Sequence, residues 1–369
     1  MNKMSNYLCC IGVGGLIFTI TSLSSCGKSN QEISEPETLT IDKTELSLVI
    51  PYDSLQSPTA MIIEKDNLII ANSGTDIVLD KYTLDGRHID SFLQKGSGPK
   101  EVKNVSMLQY AAFNNSLYIN EEPFLPLKKM INISSNHPEI ESQIKLEYTD
   151  SAVVHPNGEK IVLKNGNIIV KNCAIEGMLA EFDSKHRFIR LIQPYPPKSE
   201  FGEGMPDYAI FNFYIPRMGV SPNGLSFVTA YAVGDIIAFG KVVNDTVAVD
   251  FKIKSVPAGV KIISQGENSF GFEFDDEWKN TYGSPTLSNK YAYVPWYGVN
   301  ISPYMIYGGA PEGYEQTIFK YDLDGHLKQI IKIPNIVVNT IAVTEDDSKL
   351  FMLTNEADTG YEILCLQLE

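Results

Sequence analysis

Histidine, tryptophan and cysteine are scarce in this chain of 369 residues, at five, two and five. No Cys-x-x-Cys is present, so neither a thioredoxin-type redox pair nor a cysteine-built zinc site is encoded. No His-Glu-x-x-His and no Gly-x-Ser-x-Gly occurs, which removes the helix-borne zinc hydrolase and the nucleophile elbow. Gly96-Ser97-Gly98-Pro99-Lys100 is glycine-rich. It lacks the spacer and the Gly-Lys-Ser/Thr ending of a phosphate loop, and reads as a connector. Basic charge is also short: 30 Lys and Arg stand against 45 Asp and Glu, for a net charge of −15. Such a chain is not drawn to nucleic acid or to an anionic membrane by its overall field.

What the N-terminus does contain is a targeting pattern. Lys3 precedes an apolar run from Tyr7 to Ile20, and Leu23-Ser24-Ser25-Cys26 follows. The run is short for a membrane span. An aliphatic residue, two small residues and a cysteine form a bacterial lipobox: cleavage falls between Ser25 and Cys26, and the Cys26 thiol takes the acyl chains, palmitate among them. Two or more chains anchor a protein stably where one does not. The expected partner is membrane lipid, and the expected location is the bacterial cell envelope, at the outer membrane. Removal of residues 1–25 takes away Lys3 and no acid, so the mature chain is one unit more negative. Residues 26–37 form a polar tether. Of the cysteines, Cys9 and Cys10 leave with the signal, while Cys173 and Cys365 lie in apolar, strand-like contexts and read as buried structural thiols.

Residues 38–369 carry a repeat. Its clearest copy is Ser57 to Pro99, where the apolar runs Met61–Ile63, Leu68–Ile70, Ile77–Leu79 and Ile89–Leu93 are separated by Lys65-Asp66-Asn67, Asn72-Ser73-Gly74 and Leu84-Asp85-Gly86. Short β-branched runs broken by Asn, Asp and Gly predict hairpins. Four strands in about 45 residues is one propeller blade. Weaker copies cover 104–147, 152–195, 215–254 and 285–334, the last with Tyr321-Asp322-Leu323-Asp324-Gly325 against Tyr82-Thr83-Leu84-Asp85-Gly86. A sixth copy, from Val337 onward, has three strands. The spare strand Leu46–Ile50 is expected to supply its fourth, because an unpaired outer edge is what closed β folds avoid. The predicted fold is all-β: a six-bladed β-propeller closed by an N-terminal strand joining the C-terminal blade.

The lipobox, the tether, Tyr82–Gly86, Gly96-Ser97-Gly98-Pro99 and Tyr321–Gly325 together resemble the six-bladed, TolB-like propeller lipoproteins of gut-type anaerobes, in the family called domain of unknown function 4221. The resemblance spans the mature chain. It implies architecture and brings no catalytic residues.

Three segments break the repeat: Pro196 to Tyr214, Pro257 to Gly283 and Asn300 to Glu315. Long loops on a rigid scaffold are where binding concentrates. Their aromatics and acids supply the candidate contacts Tyr208, Phe211, Tyr214, Asp275, Asp276, Trp278, Tyr304 and Tyr307, joined by Trp296 and Tyr297 just ahead of the third. Asp275 to Lys279 could form a short helix. Asp322 and Asp324 are too few for a calcium loop. His88, His186 and His326 follow the same repeat turn, and His137 and His155 sit beside Pro turns, so none is predicted to bind a metal; no cofactor is expected. The reading is a ligand- or protein-binding, scaffolding propeller that engages an envelope protein, a glycan or a peptide through loops on one face. The alternative is a glycan- or peptide-acting hydrolase or lyase at the channel mouth, which requires a carboxylate pair or a His–carboxylate pair there.

Overall fold

The computed structural model of the chain describes residues 35–121, 125–134, 138–147, 158–171, 176–196, 213–214, 216–255, 259–266, 269–299, 310–356 and 360–368. The lipobox with Ser25 and Cys26, most of the tether, Cys173, His137 and His155 lie outside them. Residues 36–369 form one compact unit.

Two short strands come first, β1 (Glu37–Thr40) and β2 (Ser47–Ile50). Six sheets then follow in chain order. The first is β3 (Pro58–Glu64), β4 (Asn67–Asn72), β5 (Ile77–Thr83) and β6 (His88–Gln94). The second is β7 (Met107–Ala111), β8 (Ser116–Asn120), β9 (Leu127–Ile131) and β10 (Glu139–Ile144), and the third β11 (Lys160–Val162), β12 (Ile168–Lys171), β13 (Leu179–Phe182) and β14 (Phe188–Ile192). The fourth is β15 (Pro216–Val220), β16 (Ser226–Tyr231), β17 (Asp235–Val243) and β18 (Thr246–Ser255). A separate hairpin of β19 (Val260–Gly266) and β20 (Ser269–Phe274) and the short β21 (Asn280–Tyr282) lead to the fifth sheet, β22 (Thr286–Leu287), β23 (Tyr291–Val299), β24 (Glu315–Asp322) and β25 (Leu327–Pro334). The sixth is β26 (Val338–Val343), β27 (Lys349–Glu356) and β28 (Gly360–Gln367). The fold is the six-bladed β-propeller expected from the repeat.

Period-two alternation explains the ring. In β4, Ile69 and Ala71 pack toward the second blade, with Leu117 and Ile119, while Leu68 and Ile70 pack toward the sixth, with Phe351 and Leu353. Side chains of a strand alternate between faces, so a run that is apolar throughout buries both faces of its sheet. Four further clusters join blades two and three, three and four, four and five, and five and six. The six interfaces close on themselves.

β2 pairs antiparallel with β28 as the outer strand of the sixth blade, with Ser47 opposite Cys365 and Leu48 opposite Leu364. Leu46–Ile50 thus occupies the vacant place in the three-stranded copy. β1 was not anticipated as part of a blade. It adds a parallel fifth strand to the outer edge of blade five, from Glu37 opposite Gln329 to Thr40 opposite Lys332. An Asp42 capping box turns the chain between the two strands: Asp42 accepts from the Thr44 N–H at 2.8 Å, and Glu45 from the Asp42 N–H at 2.9 Å.

Apolar packing is not the only link between blades. Gln109 on β7 donates to the Val162 carbonyl at 2.7 Å and accepts from the Val162 N–H at 2.8 Å. Asn120 on β8 makes the same reciprocal pair with Lys160, at 2.9 and 2.7 Å. Gln316 on β24 accepts from the Val338 N–H at 3.0 Å. All three amides are buried; Gln109 and Asn120 each reproduce a strand pairing across a blade boundary, and Gln316 makes one bond across it. Gln109→Leu keeps the volume and strips both bonds, leaving a buried N–H and carbonyl unsatisfied. It is expected to destabilise the ring by on the order of 2 kcal/mol, read as a lower midpoint in urea unfolding; an unchanged midpoint would refute the amide's role.

Candidate functional site

The two faces of the ring differ. Turns from first to second and from third to fourth strands lie on one face, and none exceeds seven residues. Connectors between blades and turns from second to third strands lie on the other. The insertion over 196–214 joins blades three and four, that over 257–283 joins four and five, and that over 300–315 joins β23 to β24. By strand direction, all three leave from and return to the same face.

The first strands of the blades line the channel along the ring axis. A narrow part of about 70 Å³ is flanked by β3, β7, β15, β22 and β26 and by Glu159. It widens toward the insertion face into a chamber of about 310 Å³. Hydroxyls of Thr59, Ser106, Ser284 and Thr340 line this chamber, with the amides of Asn280 and Asn339. Tyr282, Tyr297 and Tyr361 contribute rings, and Arg217, next to the first residue of β15, is the one charged residue in the described lining.

Tyr297 donates its phenol to the Val338 carbonyl at 3.0 Å, which fixes the ring, and Tyr282 donates to Asp235. Burial pushes both phenols up, with Arg217 opposing the shift at Tyr297. In the narrow part, Lys171 pairs with Glu159 at 2.6 Å and donates to the Pro216 carbonyl at 2.7 Å. Burial lowers the Lys171 ammonium; Glu159 works against that shift, and the nearby Arg217 adds to it. Glu159 is therefore already matched by Lys171, and Arg217 has no carboxylate partner among the described residues. Among the described lining residues there is no histidine and no pair of carboxylates, and no group of three His, Cys, Asp or Glu among the described residues could hold a metal ion.

The loop aromatics divide. Tyr208, Phe211, Tyr304 and Tyr307 lie outside the described residues. Tyr214 and Trp278 are buried, at 0% and 5% exposure, and so do not present a binding surface. They form a knot with Phe213, Tyr231 and Val233: Tyr195 stacks on Tyr214 at 5.9 Å, and Phe213 meets Trp278 at 5.8 Å. Trp296 is half-buried against Phe319 in the interface of blades four and five. Asp275 and Asp276 are exposed and sit in a turn, not a helix: Asp275 accepts from the Glu277 N–H, and its carbonyl from the Trp278 N–H. Of the expected contacts in described regions, only Tyr297 lines the chamber. Most chamber residues lie at or beside the entry ends of first strands, single polar positions without a local motif. The one signal available was Arg217, as the sequence holds only four arginines.

The remaining features are structural. Glu101 accepts from the Gly98 N–H at 2.8 Å, and a Cβ at Gly96 would meet that carboxylate at 2.0 Å, so the glycine-rich loop folds on its own acid. The histidines are not equivalent, contrary to their expected common placement. His186 takes the left-handed turn position (φ 66°) that Gly86 and Gly325 fill elsewhere; His326 follows its glycine directly, and His88 starts β6. All three lie on the short-turn face, away from the chamber. Cys365 is buried and free, with its thiol pushed up by burial.

No family model matches the sequence, and no curated protein does. Among solved structures, the chain is similar to a member of the duf4221 family from Bacteroides vulgatus, at 13% identity and a TM-score of 0.50 over 87% of this chain and 96% of that one. It is equally similar to a protein of Bacteroides fragilis named as a candidate exported protein, at 12% identity and a TM-score of 0.50 over 90% and 99%. The resemblance to domain of unknown function 4221 thus stands as a likeness of fold.

One rim group makes a pH prediction. Burial would raise the Asp322 carboxyl, but the His326 N–H at 2.9 Å, the Lys328 ammonium at 3.0 Å and the His326 ring at 3.0 Å outweigh it and hold it at about 2, against an ordinary 3.8. A carboxyl depressed on folding stabilises above its unfolded value and loses that contribution as pH falls through the folded one. Urea midpoints are therefore expected to drop between about pH 4 and pH 2 in the native protein, and less so in Asp322→Asn.

Proposed function

We propose that this chain is a cell-envelope binding propeller, lipid-anchored through Cys26, that takes a small polar ligand in the chamber at its channel mouth. The observation that carries this is a coincidence of place. The chamber opens on the face to which all three insertions return, and its lining offers hydroxyls, amides and tyrosine rings. A volume of about 310 Å³ is at the lower end of ligand sites. Such a lining supports recognition of a saccharide or a short peptide. Hydrolysis would need two acid–base groups facing each other across the substrate, and the described lining gives that reading no support.

The envelope location rests on the lipobox at Leu23–Cys26 and is in keeping with the exported designation of the Bacteroides fragilis protein. Metabolic labelling with a palmitate precursor should mark the wild-type chain and fail on Cys26→Ala; a labelled variant would end the anchor reading.

For the chamber, Ser284→Trp places a bulky ring in the mouth. Saturation-transfer NMR against a panel of monosaccharides and dipeptides should give contacts with the native protein and none with this variant, at an unchanged melting temperature. Contacts that persist in Ser284→Trp would move the site elsewhere.

A further inference from the structure

The chamber's charge is at odds with the protein that surrounds it. The chain carries a net −15, yet the described lining of the chamber holds no acid and one cation, Arg217. Among the described residues that guanidinium forms no ion pair or hydrogen bond. Its electrostatic neighbours are Tyr297 and another cation, Lys171. Two of the other three arginines are engaged: Arg187 with Asp183 at 2.6 Å, and Arg190 with Glu181 at 2.8 Å. The one acid in the described channel lining, Glu159, is held by Lys171 at 2.6 Å. Arg217 is exposed in this lining, so its guanidinium is open to an incoming anion, which would also offset its repulsion of the buried Lys171 ammonium. The planar fork of Arg, unlike Lys, matches the two oxygens of a carboxylate. The rest of the described lining is uncharged: hydroxyls of Thr59, Ser106, Ser284 and Thr340 and the rings of Tyr282, Tyr297 and Tyr361 surround that one cation.

The geometry points to a carboxylate-bearing small molecule as the chamber's ligand, with Arg217 as its counter-ion and the Tyr and Asn side chains holding the uncharged part. This rests on the chamber being the binding site and narrows what enters it. Two sources present this chemistry, acidic sugars and the carboxylate end of a peptide.

Calorimetric titration at low salt separates them with galacturonate against galactose, and N-acetylalanine against its amide. One acid of the two pairs should bind at least about tenfold tighter than its neutral partner, as expected for a hydrogen-bonded ion pair, and the pair showing the gap identifies the source. Arg217→Gln should erase the gap and Arg217→Lys retain part of it. Since Arg217 is exposed and makes no ion pair or hydrogen bond with a described residue, Arg217→Gln should melt at or above the native temperature. Equal binding of acid and neutral partner, a gap that survives Arg217→Gln, or a lowered melting temperature in that variant would overturn the inference. Binding of neutral probes that Ser284→Trp abolishes would leave the chamber standing as a site while refuting its preference for acids. Binding of no probe at all would overturn the carboxylate inference.

Discussion

Burial of both faces of every sheet is the constraint on which the rest of this structure depends. A blade whose two faces are apolar cannot stand beside water, so each must be flanked by another, and six of them meet only as a ring. The consequence reaches the individual residue: in β4, neighbours in sequence serve different interfaces. It also leaves polar backbone at the blade boundaries, where no sheet continues. Gln109, Asn120 and Gln316 answer that need, each paired with the backbone of the next blade. The ring is held by oil between sheets and by amides at the boundaries. Buried ion pairs add to it where a lysine crosses, as when Lys81 joins Glu64 at 3.1 Å and the Ile133 carbonyl at 2.9 Å.

Much of this was legible in the sequence, because periodicity and turn residues are local. The six copies, the Asp-Gly hairpins and the role of Leu46–Ile50 follow from patterns within a few residues. Strand character at Leu39–Ile41 is legible as well, but the pairing of β1 with blade five is not, since partners some 290 positions later leave no local trace. The short helix expected at Asp275 gave way to an Asx turn because its carboxylate bonds the backbone two residues on. The loop aromatics misled for a different reason. Tyr214 and Trp278 have the composition of a binding surface, but an insertion lying over a β-ring must bury something of its own, and these rings are what it buries. The chamber was invisible because its polar residues come from several different blades and meet only when the ring closes.

That dispersal has a physical logic. A site assembled from first strands of different blades is positioned by the most rigid elements available, while the insertions around it are free to differ. The same interfaces that hold the fold therefore hold Arg217 relative to Asn339 and Tyr297. A chamber whose described lining holds no acid also keeps its guanidinium from the protein's own carboxylates, which take up Arg187 and Arg190 at the rim.

The N-terminal strands carry one more consequence, a mechanical one. From Glu37 the chain runs along the outer edge of blade five, turns, runs along the outer edge of blade six, and only then enters blade one. Tension applied ahead of Glu37 along the strand axis loads the hydrogen bonds of β1 and β25 together, in shear, instead of peeling them one at a time. Such a load enters the ring at its circumference and is shared by two blades before it reaches the third.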